Sequence, residues 1–242
     1  MRGAMNVKPH ERIFVALDTA EPSRACDLAR ALHGLVGGVK LGNEFFTACG
    51  PEGVRRVAGI GLPVFLDLKY HDIPNTVGHA VTAALSLSPF MLNVHASGGA
   101  AMMRAAAEAA ATAGAKRPMV LAVTVLTSLA PADLVDIGVN SPVRDQATRL
   151  ALLAKDNGLD GVVCAAAEIM ALRGAAGGTF RLIVPGVRPA WAGADDHKRV
   201  LTPGDAVALG ADYLVVGRPI TAASDPADAA RRIIDEIAAV DA

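Results

Sequence analysis

The 242-residue chain has little cysteine and few aromatics: three Cys, one Trp, two Tyr and six Phe. Cys26, Cys49 and Cys164 lie far apart, without the paired spacing of a zinc site. Their odd number argues against a closed disulfide framework, so a reducing compartment is expected. No stretch supplies the roughly 18 uninterrupted apolar residues of a membrane span. The opening MRGAMNVKPHER carries charge but lacks the apolar core of a signal peptide. These absences lead us to expect a soluble cytoplasmic protein whose residues 1–10 form a loose extension. An excess of either charge is also missing, since 23 Lys and Arg face 24 Asp and Glu, scattered along the chain. That excludes a polybasic footprint for nucleic acid and an acidic tail, and leaves a small molecule as the expected partner. No Gly-x-Gly-x-x-Gly follows the first strand-like run, which weakens a dinucleotide-binding reading.

What is present is a rhythm. Short apolar runs recur at 13–18, 35–42, 62–69, 90–95, 118–126, 159–165, 180–186 and 212–219. Each is short and rich in β-branched residues, as expected of a strand buried on both faces. Alanine- and leucine-rich segments with helical spacing lie between them, several announced by a proline at the first helical position: Pro22, Pro74, Pro203 and Pro226. Parallel strands need crossover helices, and eight such units in this length predict a closed (β/α)8 barrel, a single α/β domain over 11–242. The longest irregular stretch, 185–203, follows the seventh strand, and loops of that length are usually functional or disordered.

The charges fall in a pattern against this rhythm. Asp18 closes the first run, Lys40 the second, Asp67 and Lys69 the third and His95 the fourth, while Arg188 and Arg218 follow the seventh and eighth. In such barrels the C-terminal strand ends form the reactive face. Strand periodicity points Asp67 and Lys69 to the same side. Buried charges need partners, so Lys40, Asp67, Lys69 and Asp72 are expected to form an alternating ionic network, an arrangement better suited to catalysis than to stability. A rim salt bridge would account for any one of these residues, but not for so many together. In VVGRP, Gly217 and Arg218 stand where these barrels commonly cradle phosphate. Thr127 and Ser128 close the fifth run, with either a hydrogen-bonding or a turn role. His95 is expected to be structural and hydrogen-bonded rather than a metal ligand, Met102 and Met103 to be core, and Trp191 to be a loop contact.

Taken in order, Asp18, K-x-G at Lys40–Gly42, D-L-K-Y-H-D-I-P-N-T at Asp67–Thr76, L-T-S at 126–128, P-G-V-R-P at 185–189 and V-G-R-P at 216–219 resemble the orotidine 5′-phosphate decarboxylase family. The resemblance implies conversion of orotidine 5′-monophosphate to uridine 5′-monophosphate and CO2, without metal or organic cofactor, by a homodimer with sites at the subunit interface. It further implies that Lys69 donates a proton to C6, that Asp67 lies by the departing CO2 and that Asp72 reaches the partner's site. Lys40 and Asp18 would bind ribose hydroxyls; Ile73, Thr76, Thr127, Ser128 and Pro185 would line the nucleotide; Gly217, Arg218 and Arg188 would hold phosphate. One departure is visible. Nine residues beyond Arg188 stands His197, where the resemblance leads us to expect a glutamine bridging phosphate and pyrimidine. Imidazole cannot reproduce an amide's donors and acceptor together.

Two other readings compete with this one. A magnesium-dependent sugar-phosphate decarboxylase or aldolase-like relative shares D-x-K-x-x-D, but needs an acidic metal ligand where this chain has Lys40. A non-catalytic nucleotide-binding barrel would give no reason for the ionic residues.

Overall fold

The computed structural model describes residues 7–192 and 201–241. Eight strands close a parallel barrel in chain order: β1 (Ile13–Ala16), β2 (Gly38–Gly42), β3 (Val64–Tyr70), β4 (Met91–His95), β5 (Met119–Val123), β6 (Gly161–Val163), β7 (Arg181–Pro185) and β8 (Tyr213–Val216). The helices are α1 (Pro22–Leu32), α2 (Asn43–Ala58), α3 (Pro74–Ala84), α4 (Gly99–Ala111), α5 (Pro131–Asp136), α6 (Val143–Asp156), α7 (Ile169–Ala176), α8 (Pro203–Ala208), α9 (Arg218–Thr221) and α10 (Pro226–Asp241). This is the (β/α)8, or TIM-barrel, fold. Proline at the first position starts α1, α3, α8 and α10, where its missing N–H costs no intrahelical bond. At α8 the Thr202 hydroxyl also accepts from the Asp205 N–H at 3.2 Å.

Period-two alternation divides the strands between two cores. Val15, Leu41, Leu66, Leu92 and Leu214 point outward and pack with the helices, and Met102 and Met103 are fully buried among them, as expected. Phe14, Phe65, Met91, Leu121, Ile183, Tyr213 and Val215 fill the barrel interior. Each such side chain contributes about 1.5–3 kcal/mol on burial. Toward the barrel floor, Phe14 stacks on Phe90 at 5.7 Å and meets Tyr213 edge-on at 5.6 Å. Val7 joins the same interior cluster at 8% exposure, and a 3-10 turn runs from Pro9 to Arg12. The packed body therefore starts ahead of residue 11, because an apolar side chain in the extension covers otherwise exposed interior.

Charge is not confined to one end of the barrel. At the N-terminal strand ends Asp160 takes Arg117 through both oxygens, at 2.9 and 2.8 Å, and accepts from the Val120 N–H at 2.7 Å. Asp212 likewise takes Arg173 and Arg181 and accepts from the Leu182 N–H. These pairs satisfy backbone donors at the rim opposite the reactive one, where (β/α)8 barrels keep residues for stability.

Candidate active site

The reactive end is assembled from neighbouring strands. Lys40 on β2 lies in register with Ala16 of β1 and Phe65 of β3, so its side chain rises into the barrel mouth between them. Its Nζ is 3.1 Å from Asp18 Oδ1 and 3.3 Å from Asp67 Oδ2. Asp67, 7% exposed, receives Lys69 Nζ on its other oxygen at 2.7 Å. The result is an alternating chain Asp18–Lys40–Asp67–Lys69. Asp18 lies two residues past the end of β1, exposed, and holds the outer end of that chain.

Asp72 does not join the network within this chain. Its carboxylate accepts from the Ile73 N–H at 2.6 Å, and the whole stretch from His71 to Thr76 is exposed, Ile73 at 66%. Pro74 begins α3 just beyond, with Ile73 as its N-cap.

Below the ionic chain lies a cavity of about 190 Å³. Phe65, Val123, Val163 and Val215 give it an apolar floor, and Lys40, Asp67, Lys69, Thr127 and Pro185 complete the wall. Cys164 also lines it, but burial, followed by the charge of Glu168, pushes its thiol well up, which keeps it from acting as a thiolate. A charged rim over an apolar pocket can accept a flat ring and present charge to one edge of it.

The remaining expected residues surround this cavity unevenly. β5 stops at Val123, so Thr127 and Ser128 lie in an exposed turn beyond the strand rather than at its end, and of the two only Thr127 lines the cavity. Gly217 precedes α9 and Arg218 begins it, exposed. Arg188 is half-buried, and its N–H donates to the Leu201 carbonyl at 3.1 Å, closing the base of the loop after β7. Trp191, in that loop, stacks under the Arg232 guanidinium of α10 at 4.0 Å, the loop contact expected of it. His197 lies outside the described residues.

His95 departs from the hydrogen-bonded role expected of it. Its ring packs 5.5 Å from that of His71, tilted by 35°, and no hydrogen bond to it is found among the described residues. Burial lowers its pKa, helped by the positive charges of His71 and Lys69 and opposed by Asp67. Among the described residues no group of three or more His, Cys, Asp or Glu is placed to hold a metal ion, and no helix is long and apolar enough to cross a membrane.

Sequence reasoning passed over Asn93. This β4 residue, fully buried, donates from Nδ2 to Asp67 Oδ1 at 2.7 Å and accepts from the Lys69 N–H at 2.8 Å. The signal available was a lone amide inside the apolar run FMLNVH, since a buried polar group requires partners.

Residues 11–233 match the model of the "Orotidine 5'-phosphate decarboxylase / HUMPS family". The chain is 54% identical over 229 residues to the orotidine 5′-phosphate decarboxylase of Paramagnetospirillum magneticum, covering 93% of this chain and 97% of that protein. It is 55% identical over 230 residues to that of Rhodospirillum rubrum, covering 93% of each. The crystal structure of orotidine 5′-phosphate decarboxylase from Lactobacillus acidophilus superposes with a TM-score of 0.81 at 36% identity, covering 93% of this chain and 98% of that one.

Proposed function

The chain belongs to the orotidine 5′-phosphate decarboxylase family and converts orotidine 5′-monophosphate to uridine 5′-monophosphate and CO2, the last step of UMP synthesis; on that premise we propose that Lys69 protonates C6 as CO2 leaves. The observation that carries this reading is the alternating chain Asp18–Lys40–Asp67–Lys69 over an apolar cavity.

Loss of CO2 leaves an electron pair in the plane of the ring, where the π system cannot accept it. A cation must already stand beside that carbon. Lys69 supplies the charge and then the proton, while Asp67 orients the ammonium. Asp67 would also face the substrate carboxylate, and at about 4 Å and an effective dielectric near 20 that repulsion amounts to roughly 4 kcal/mol. The largest enzymatic accelerations require on the order of 20 kcal/mol, so most of the effect has another source. Remote phosphate binding that closes the loop after β7 is the better candidate. In this reading Arg188, Arg218 and Gly217 take the phosphate, Asp18 and Lys40 the ribose, and Ile73, Thr76, Thr127, Ser128 and Pro185 the rest of the nucleotide. His197 stands in for the family's bridging glutamine.

The active unit is a homodimer, with Asp72 completing the partner's ionic chain. An exposed carboxylate beside a large exposed apolar side chain, Asp72 beside Ile73, supports this reading. The enzyme works in the cytoplasm. Following orotidine 5′-monophosphate absorbance with EDTA-treated protein tests the cofactor-free mechanism. Undiminished turnover is expected, and activity that appeared only on adding Mg²⁺ would overturn it.

A further inference from the structure

β3 carries two more residues than β4 across the reactive end of their shared ladder. Leu66 pairs with Leu92, but the next pair is Tyr70 with Val94. Four steps on one strand therefore face two on the other, and Asp67, Leu68 and Lys69 form the bulge. Lys69 accommodates it in the left-handed region at φ 52°, one of only two non-glycine residues to do so among those described. For a side chain with a β-carbon this conformation costs on the order of 1–3 kcal/mol, and it persists only where the surroundings enforce it.

A bulge also removes ladder partners. The Lys69 N–H has lost its strand acceptor at a part-buried position, where an unmade bond costs about 1–3 kcal/mol. Asn93 supplies the replacement. It sits on β4 between Leu92 and Val94, opposite the bulge, and shares inward parity with Met91 of the barrel interior. Its carbonyl oxygen takes the Lys69 N–H at 2.8 Å, and its amide nitrogen donates to Asp67 Oδ1 at 2.7 Å. Asp67 Oδ1 is also the atom that holds Lys69 Nζ. One buried carboxamide thus grips the main chain of Lys69 and the carboxylate that orients its side chain.

We propose that Asn93 is a positioning residue for decarboxylation, holding the bulged backbone of Lys69 and the carboxylate of Asp67 in a single geometry so that the ammonium points into the cavity. The proposal rests on the reading of Lys69 as proton donor. Asn93 does not line the cavity, so its loss acts on the chemical step more than on nucleotide binding. A shift of about 1 Å at reacting groups costs on the order of 100-fold in rate.

Asn93→Ala removes both bonds; Asn93→Asp, nearly the same size, keeps an acceptor for the Lys69 N–H but sets a carboxylate against Asp67. For both variants, and for Lys69→Ala in parallel, kcat and KM for orotidine 5′-monophosphate are measured together with UMP affinity and Tm. The expected result is a kcat loss of about 100-fold in both Asn93 variants, per folded active site counted by UMP binding, with KM and UMP affinity within about threefold. A merely structural role would lower Tm and the number of binding-competent sites while leaving kcat per site unchanged, and that outcome overturns the proposal. If Asn93→Ala does not fold, Asn93→Asp decides by the same criterion. Inactive Lys69→Ala beside fully active Asn93→Asp overturns the Asn93 assignment alone. Active Lys69→Ala overturns the proton-donor reading, and with it the route through which Asn93 acts.

Discussion

A β-carbon on Gly42 would stand 3.0 Å from Lys40 Nζ. The glycine of K-x-G thus answers to space above β2 rather than to backbone freedom, since the ammonium of Lys40 crosses over it to reach Asp18 and Asp67. Gly42→Ala is expected to displace that ammonium by a few tenths of an ångström and lower kcat/KM by roughly tenfold, less than a full 1 Å misplacement would cost. Tm should stay within about 4 °C, corresponding to about 1 kcal/mol or less for a chain of this size. Steady-state kinetics beside a melting curve checks this, and unchanged kinetics would show that Lys40 has room to spare.

Lys69→Ala is expected to lower kcat at least 100-fold, the lower bound usual for removing a general acid, with a further loss from the missing cation. UMP affinity should remain measurable, because the apolar floor of Phe65, Val123, Val163 and Val215 is untouched. Isothermal titration with UMP beside turnover assays separates the two effects.

The carboxylate of Asp72 accepts from the Ile73 N–H and, among the described residues, forms no ion pair with its own ionic chain, so its role is open to complementation. Mixing Lys69→Ala and Asp72→Asn subunits under conditions that exchange them should restore roughly a quarter of the parental activity, since half the dimers are mixed and each holds one intact site of two. Persistent inactivity despite demonstrated exchange would place Asp72 outside the partner's site.

Arg218 opens α9 at the end of the last strand, exposed and within the V-G-R-P motif. A charge-assisted bond to phosphate contributes about 1.5–3 kcal/mol, so Arg218→Ala should raise KM by about 10- to 100-fold. It should lower kcat as well if phosphate binding drives closure. Unchanged kcat/KM would locate the phosphate elsewhere.

Glu168 is 3% exposed, and burial raises its pKa from 4.5 to about 6 despite a 3.0 Å bond from the Ala165 N–H. The unfolded chain gives up this proton at lower pH than the folded one. Stability from this group is therefore fully present below about pH 4.5 and is lost as the pH rises through about 6, a difference of about 2 kcal/mol. Glu168→Gln keeps an acceptor for Ala165 but cannot ionise. It should raise Tm by about 4–8 °C above pH 6 and have no effect below pH 4.5; parallel melting profiles would show that the carboxylate is already compensated.

The sequence by itself determined the order of the elements, the two-sided burial of the strands and the chemistry of the mouth. Short continuous apolar runs, prolines at helix starts and D-L-K-Y-H-D-I-P-N-T are local signals, written in neighbouring residues. The tertiary structure decided what depends on registry between distant segments. The β3 bulge exists only relative to β4, and it puts Asn93, 26 residues from Asp67 and 24 from Lys69, within bonding distance of both. Asp18 rather than Asp72 completes the ionic chain within one subunit because β1 pairs with β2 in register, which brings the residue just past β1 beside Lys40. Thr127 and Ser128 look like the end of a strand because VLTSL is apolar enough to extend one. β6 is only three residues long, however, so the ladder ends at Val123 and the two hydroxyls fall in the turn beyond it.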